Sequence, residues 1–278
     1  MFAFIAALAQ VGGVILDKIT LTRKQVSVHV FVPILFLFLF LSTATLYPFL
    51  GHINPDLFTL RYLLLFGTML ATAVIWNIFY YQGVQSEKVH EFEMILMFQP
   101  LLTILLAVLV LKGERNIHIE IAAIVAAAAL IISHIKKTHL EFSSGSYKLI
   151  LAVVFMSVEL IIIKEMLNVL SPVSLYFFRT GIMFIFFYIF YHPKVNQVAP
   201  ANYGLILLTG LLGTAQMVTK FYGFDYYGVI YTSLVLILSP MLVYIVSTIF
   251  LHEKLKTRTV ISALVILGCI VYATLTGK

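Results

Sequence analysis

Charged side chains set deep in apolar runs are the groups in this sequence best placed to do chemistry. Glu159 lies in LAVVFMSVELIIIKEM, with apolar residues three and four positions away on both sides. A carboxylate in hydrocarbon is costly and takes a partner, which here must come from another helix. Arg179 fits by spacing: Glu159 stands about eleven residues before the turn at Ser171-Pro172, and Arg179 about eight after it. At 1.5 Å of rise per residue their depths differ by about 4–5 Å, within reach of an arginine side chain. Two roles follow for the pair. One is a carboxylate that exchanges a proton or meets a cationic group; the other is a permanent lock on a helical hairpin.

A second constellation comes from His90, Glu93, Met97 and Pro100, whose steps of three, four and three put them on one helical face. Glu93 lies about seven residues past Ser86, read as an N-cap. Trp76 lies a similar distance before that turn, with Asn77, Tyr80 and Tyr81 close by. A carboxylate beside electron-rich rings suits a cation. The alternative is an aromatic belt at the membrane interface, the reading preferred for Tyr81. A repeat offset of 140 positions maps Trp76 to Gln216, Tyr80 to Lys220 and Glu93 to Ser233. Such a cavity suits a zwitterion such as an amino acid, its carboxylate toward Lys220 or Arg179 and its ammonium toward Glu93 or Glu159. Lys220 could equally snorkel to the interface. Gln10 and Gln99 are secondary lining candidates.

The elements that must hold these groups are helices in lipid. Of the 278 residues 62% are hydrophobic and 11% charged, with mean hydropathy +1.04, against about 25% charged in a soluble domain. In lipid every backbone polar group needs an internal partner, which leaves helices or closed barrels, and the apolar runs are far longer than the roughly ten-residue strands of a barrel. Ten spans fit, near 1–19, 28–49, 58–80, 88–111, 116–135, 147–169, 172–192, 201–221, 228–251 and 256–275. Residues 1–16 read as a retained first helix rather than a signal peptide. The formal charge of +6 is assigned to helix ends beside anionic lipid and not to a nucleic-acid partner. The single cysteine, Cys269, offers neither a disulfide framework nor a thiol metal site. The eight histidines are scattered, with no HExxH, no Gly-x-Ser-x-Gly and no nucleotide-binding loop. No metal, cofactor or enzymatic activity is expected.

The sequence repeats itself. Gly83 precedes Pro100 by seventeen positions and Gly223 precedes Pro240 by seventeen, and Glu114 and Glu253 close the two runs. A proline inside an apolar helix removes a backbone hydrogen bond and bends it. The polar linker from Lys136 to Ser146 divides five spans from five. An odd number per half forces the second copy in upside down, as in many secondary transporters. The expected fold is an all-α polytopic membrane protein with ten transmembrane helices as two inverted five-helix repeats, 1–140 and 141–278. Trp76, Asn77, Tyr80, Glu93, Glu159, Arg179, Gln216 and Lys220 are its expected substrate-binding residues, and Pro100 and Pro240 its gating bends. Bland readings cover the rest: Asp17-Lys18 and Lys164-Glu165 as surface ion pairs, the FLFLF run of span two as lipid-facing, and the glycines of span eight as close-packing surfaces.

These features together resemble the drug/metabolite transporter superfamily, specifically EamA-type proteins: a proline-bearing fourth helix ending in Glu in each half, Phe178-Arg179-Thr180-Gly181, and Gly268 in the last helix. Span two, beginning VHVFVPILFLF, has no arginine matching Arg179. The resemblance implies ten helices around a central cavity, with spans five and ten peripheral and both termini cytoplasmic. Lys and Arg in the odd-numbered loops outnumber those in the even ones, which by the positive-inside rule puts both termini outside. The family orientation is preferred over that count. The function expected is export or exchange of a small polar metabolite across the cell membrane, with protons as a candidate coupling ion, by a monomer or homodimer. Uptake of an organic cation is the alternative; an intramembrane enzyme or a passive channel is the alternative of another class.

Overall fold

The computed structural model describes residues 1–22, 26–87, 95–96, 98–134, 144–194, 199–251 and 257–276. Glu93, with His90 and Met97 of the same expected face, lies outside them, as do Glu253 and most of the central linker.

The described residues fold into helices that follow the expected spans. In the first half these are α1 (Phe2–Leu21), α2 (Val28–Leu50), α3 (Leu60–Ser86), α4 (Phe98–Val110) and α5 (Ile117–His134). In the second half they are α6 (Ser144–Met166), α7 (Pro172–Tyr191), α8 (Pro200–Tyr227), α9 (Val229–Leu236), α10 (Leu238–Leu251) and α11 (Thr257–Thr276). By length and hydropathy α1, α2, α3, α7 and α8 are each able to cross a membrane, and shorter apolar helices account for α4, α5, α9–α10 and α11. The protein is an all-α polytopic membrane protein. Several hydroxyls within these helices are satisfied locally: Thr43, Thr180 and Thr209 each donate to the carbonyl four residues back, the usual solution where no water competes.

Helix direction follows from the contacts. On α3 and α6, Gly83 abuts Leu149 and Gly145 abuts Ser86 and Glu87, while Arg61 pairs with Glu165 at 3.2 Å near the far ends. The two helices are therefore antiparallel. So are α1 and α8, where Phe2 stacks on Tyr222 and Tyr226 and Gly12 abuts Leu212. Lys18, near the end of α1, donates to Val84 O at 2.7 Å and to Glu87 O, which brings the C-termini of α1 and α3 together. Lys164, near the end of α6, donates to Phe224 O at 2.7 Å and so brings together the C-termini of α6 and α8. An ammonium at the unsatisfied carbonyls of a helix end is favourable twice over, as a hydrogen bond and against the helix dipole. It follows that α1 and α6 run in opposite directions. One face of the molecule is the Lys18 end and the other the Lys164 end.

At the Lys164 end the α2–α3 and α6–α7 connections are stitched by backbone hydrogen bonds. Ile53 and Leu170 form an antiparallel bridge, Asn54 N–H donates to Val169 O at 2.8 Å, and Ser171 N–H donates to His52 O at 3.0 Å. Ser171 also caps α7, accepting from Ser174 N–H, with Pro172 in the first turn.

The expected bent helix of span nine is two helices. Pro240 has no N–H to give Leu236 O, and the helix breaks at Ile237 between α9 and α10. Pro100 lies within α4, and Ile95 and Leu96 before it are helical as well. Four local expectations are corrected. Helix α3 runs on to Ser86, so Ser86 ends that helix, its hydroxyl turned to Gly83 O. Phe36 of the FLFLF run is buried, packed on Phe187, and Phe40 packs on Phe177. Glu165 pairs across to Arg61 while Lys164 bonds a backbone carbonyl, so they are not partners of each other. Asp17 is buried, and so makes no surface pair with Lys18.

Candidate functional site

A cavity of about 130 Å³ lies between the halves, lined from α1, α2, α3, α6, α7 and α8, with Leu96 and Gln99 from the α4 region. That is below the roughly 300–1,000 Å³ of sites for drug-sized ligands, so it suits a small occupant. At its heart Arg179 Nε donates to Glu159 Oε1 at 2.7 Å and Nη2 to Oε2 at 3.3 Å. The reach across the α6–α7 hairpin is the one that the spacing implies. Trp76 Nε1 donates to the same Oε2 at 2.5 Å, and the guanidinium carbon stands 5.7 Å from the Trp76 ring centroid. Glu159, 0% exposed, thus receives three N–H groups from two helices. A buried pair whose two carboxylate oxygens are both hydrogen-bonded is the arrangement that offsets the desolvation of both charges.

Lys220 is different. It is 3% exposed and lines the cavity, and among the described residues its ammonium makes no ion pair or hydrogen bond, only a contact 5.8 Å from the Phe224 ring centroid. It therefore does not snorkel. Gln216, one turn earlier on α8, lines the cavity near Gly13 of α1. Asn77 lines it too but spends its amide on Ala73 O at 2.8 Å. Tyr80 lines it and donates to Asp17 Oδ2 at 3.4 Å. Gln10 and Gln99 are also in the lining. Pro100 and Pro240 are buried but are not lining residues.

Spacing alone missed Asp17 and Tyr81. Tyr81, expected in an interfacial belt, is buried beside Tyr80 with ring centroids 4.9 Å apart, and it lines the cavity. Asp17 is 7% exposed in the same lining. The signal that could have found it is its place on the first helix one turn beyond Gly13, on the face that the small residues leave open.

The helices thus surround a cavity whose charged lining residues are Asp17, Glu159, Arg179 and Lys220. Residues 143–275 match the EamA-like transporter family, in agreement with the resemblance read from the motifs of the second half. A crystal structure described simply as that of a protein superposes with a TM-score of 0.72 over 97% of this protein and 96% of its own length, at 15% identity. At that identity the likeness concerns the fold alone. No curated protein matches in sequence.

Proposed function

We propose that this protein is a secondary transporter that exports or exchanges a small polar metabolite such as an amino acid across the cell membrane by alternating access. The observation that carries the reading is Lys220, a buried ammonium facing the cavity with no carboxylate paired to it among the described residues. An unpaired buried cation is costly, and a substrate carboxylate relieves it. Arg179 is already held by Glu159, so Lys220 is the group with a free valence for an anion.

Alternating access needs two halves that move as bodies, and the inverted-repeat reading of 1–140 and 141–278 supplies them. It is supported by the opposed directions of α1 and α6. It is also supported by the lysine clasps, since Val84 and Phe224, the carbonyls bound by Lys18 and Lys164, are 140 positions apart. The residues before the two prolines each touch the first helix of the other half: Ser157 donates to Gln99 O at 3.3 Å, and Ser239 to Ala7 O at 3.4 Å. Pro100 and Pro240 thus gate by setting how α4 and α10 lean on those helices. Organic-cation uptake at Trp76 is the weaker reading, because the Arg179 guanidinium already faces that ring.

Counterflow of labelled amino acids in proteoliposomes, with and without a pH gradient, tests the proposal. Saturable counterflow that Lys220→Met abolishes is expected; rates that never saturate would indicate a channel. Gradient-driven transport surviving in Glu159→Gln would remove Glu159 from proton coupling.

A further inference from the structure

We infer that Asp17, with Tyr80, forms an acidic subsite at the Lys18 end of the cavity that takes the substrate's ammonium group, opposite Lys220, which takes its carboxylate. The inference rests on the transporter reading and adds the polarity of its cargo.

The two carboxyl groups of the cavity are in different states of satisfaction. Glu159 has three N–H donors on its two oxygens. Asp17 has one long bond, from Tyr80 OH to Oδ2 at 3.4 Å, and its buried Oδ1 has no hydrogen-bond partner among the described residues. No lysine or arginine among them pairs with it: the adjacent Lys18 turns to the carbonyls of Val84 and Glu87. Leaving such an oxygen unfilled is costly, and a ligand donor removes the cost. A primary ammonium is the matching group, with three donors on a compact cation. The subsite has aromatic walls as well: Tyr80 lies edge-on to both Trp76 and Tyr81, with centroids at 6.0 Å and 4.9 Å.

The subsites lie at opposite levels. Helices α1 and α8 are antiparallel and meet where Gly13 faces Gln216. Asp17 is one turn past Gly13 toward the Lys18 end, and Lys220 one turn past Gln216 toward the Lys164 end. The two turns add up to about 12 Å of rise. Helical side chains lean toward their own N-terminus, so these two lean toward each other. A zwitterion is then held in one sense, ammonium toward the Lys18 end and carboxylate toward the Lys164 end.

Trp76, the single tryptophan, lines the cavity and reports its occupancy by fluorescence. The full-length protein in lipid nanodiscs is titrated with each common L-amino acid, then with the deaminated acid and the decarboxylated amine of the tightest. Asp17→Asn is expected to weaken the amino acid and the amine about 10–100-fold and to leave the acid within about twofold, as for one charged hydrogen bond. Asp17→Glu restores most of the loss. Equal weakening of acid and amine by Asp17→Asn, or no weakening, overturns the subsite while leaving the transporter reading intact. If Asp17→Asn does not fold, Lys220→Met decides: acid binding lost and amine binding kept is expected, and loss of both overturns the division of roles. Wild-type protein that binds no amino acid overturns the amino-acid reading itself, and this inference with it.

Discussion

At the scale of single residues, the Glu159–Arg179 pair and Lys220 show opposite uses of buried charge. Removing one member of the pair strands the other in a dry site. Arg179→Met is expected to destabilise the protein by about 3–5 kcal/mol, and Glu159→Gln/Arg179→Met to recover most of that. Thermal unfolding in detergent measures both. Lys220→Met removes an unpaired charge, so the empty protein should become no less stable while amino-acid binding falls, as Trp76 fluorescence would report. A loss of stability there would mean that Lys220 has a structural partner. The pair was legible in the sequence because both partners flank one turn, and rise per residue sets their depths. Asp17 was not: next to Lys18 near a helix end it looks like half of a surface ion pair. Only the meeting of α1 with α3, a contact between distant stretches, turns it inward.

At the scale of elements, the helix ends are where the sequence was least informative. The expected end of α3 near residue 80 falls short of the observed Ser86, because Lys18 supplies the last turn's carbonyls with a donor that local sequence does not contain. Lys18→Met and Lys164→Met should each cost about 1.5–3 kcal/mol, the worth of a hydrogen bond to a charged group. Hydrogen exchange should then rise in the last turns of α3 and α8 respectively; equal effects at both sites would show that the clasps are not local. The prolines, by contrast, stood out in the sequence as breaks in an apolar pattern. Pro240→Ala lets α9 and α10 close the missing bond, a gain of about 0.5–1.5 kcal/mol. The expected outcome is a slower counterflow rate at unchanged amino-acid affinity. Unchanged counterflow would dismiss Pro240 as a gate.

At the scale of the whole molecule, composition was enough for the membrane and the helices. What no pattern could reveal is which connections of the two halves touch. The join of residues 52–54 with 169–171 involves two loops more than a hundred positions apart. If the halves rock, this join is released once per cycle when the Lys164 end opens. The amides of Asn54 and Ser171 should then exchange faster during counterflow than in protein without substrate, as read by mass spectrometry. Full protection during turnover would make the join a fixed pivot.

The join has a consequence for how such a protein changes over time. Beside the hydroxyls of Ser171 and Ser174, which bond His52 N–H, its bonds run from backbone amide to backbone carbonyl, groups that almost any residue but proline provides. Substitutions at Ile53, Asn54 or Leu170 are expected to leave it standing, while on the proposed function a substitution at Asp17, Trp76 or Lys220 changes what the cavity accepts. Mechanics written in the backbone and selectivity written in side chains can be altered separately, so one scaffold can acquire a new cargo without relearning how to move.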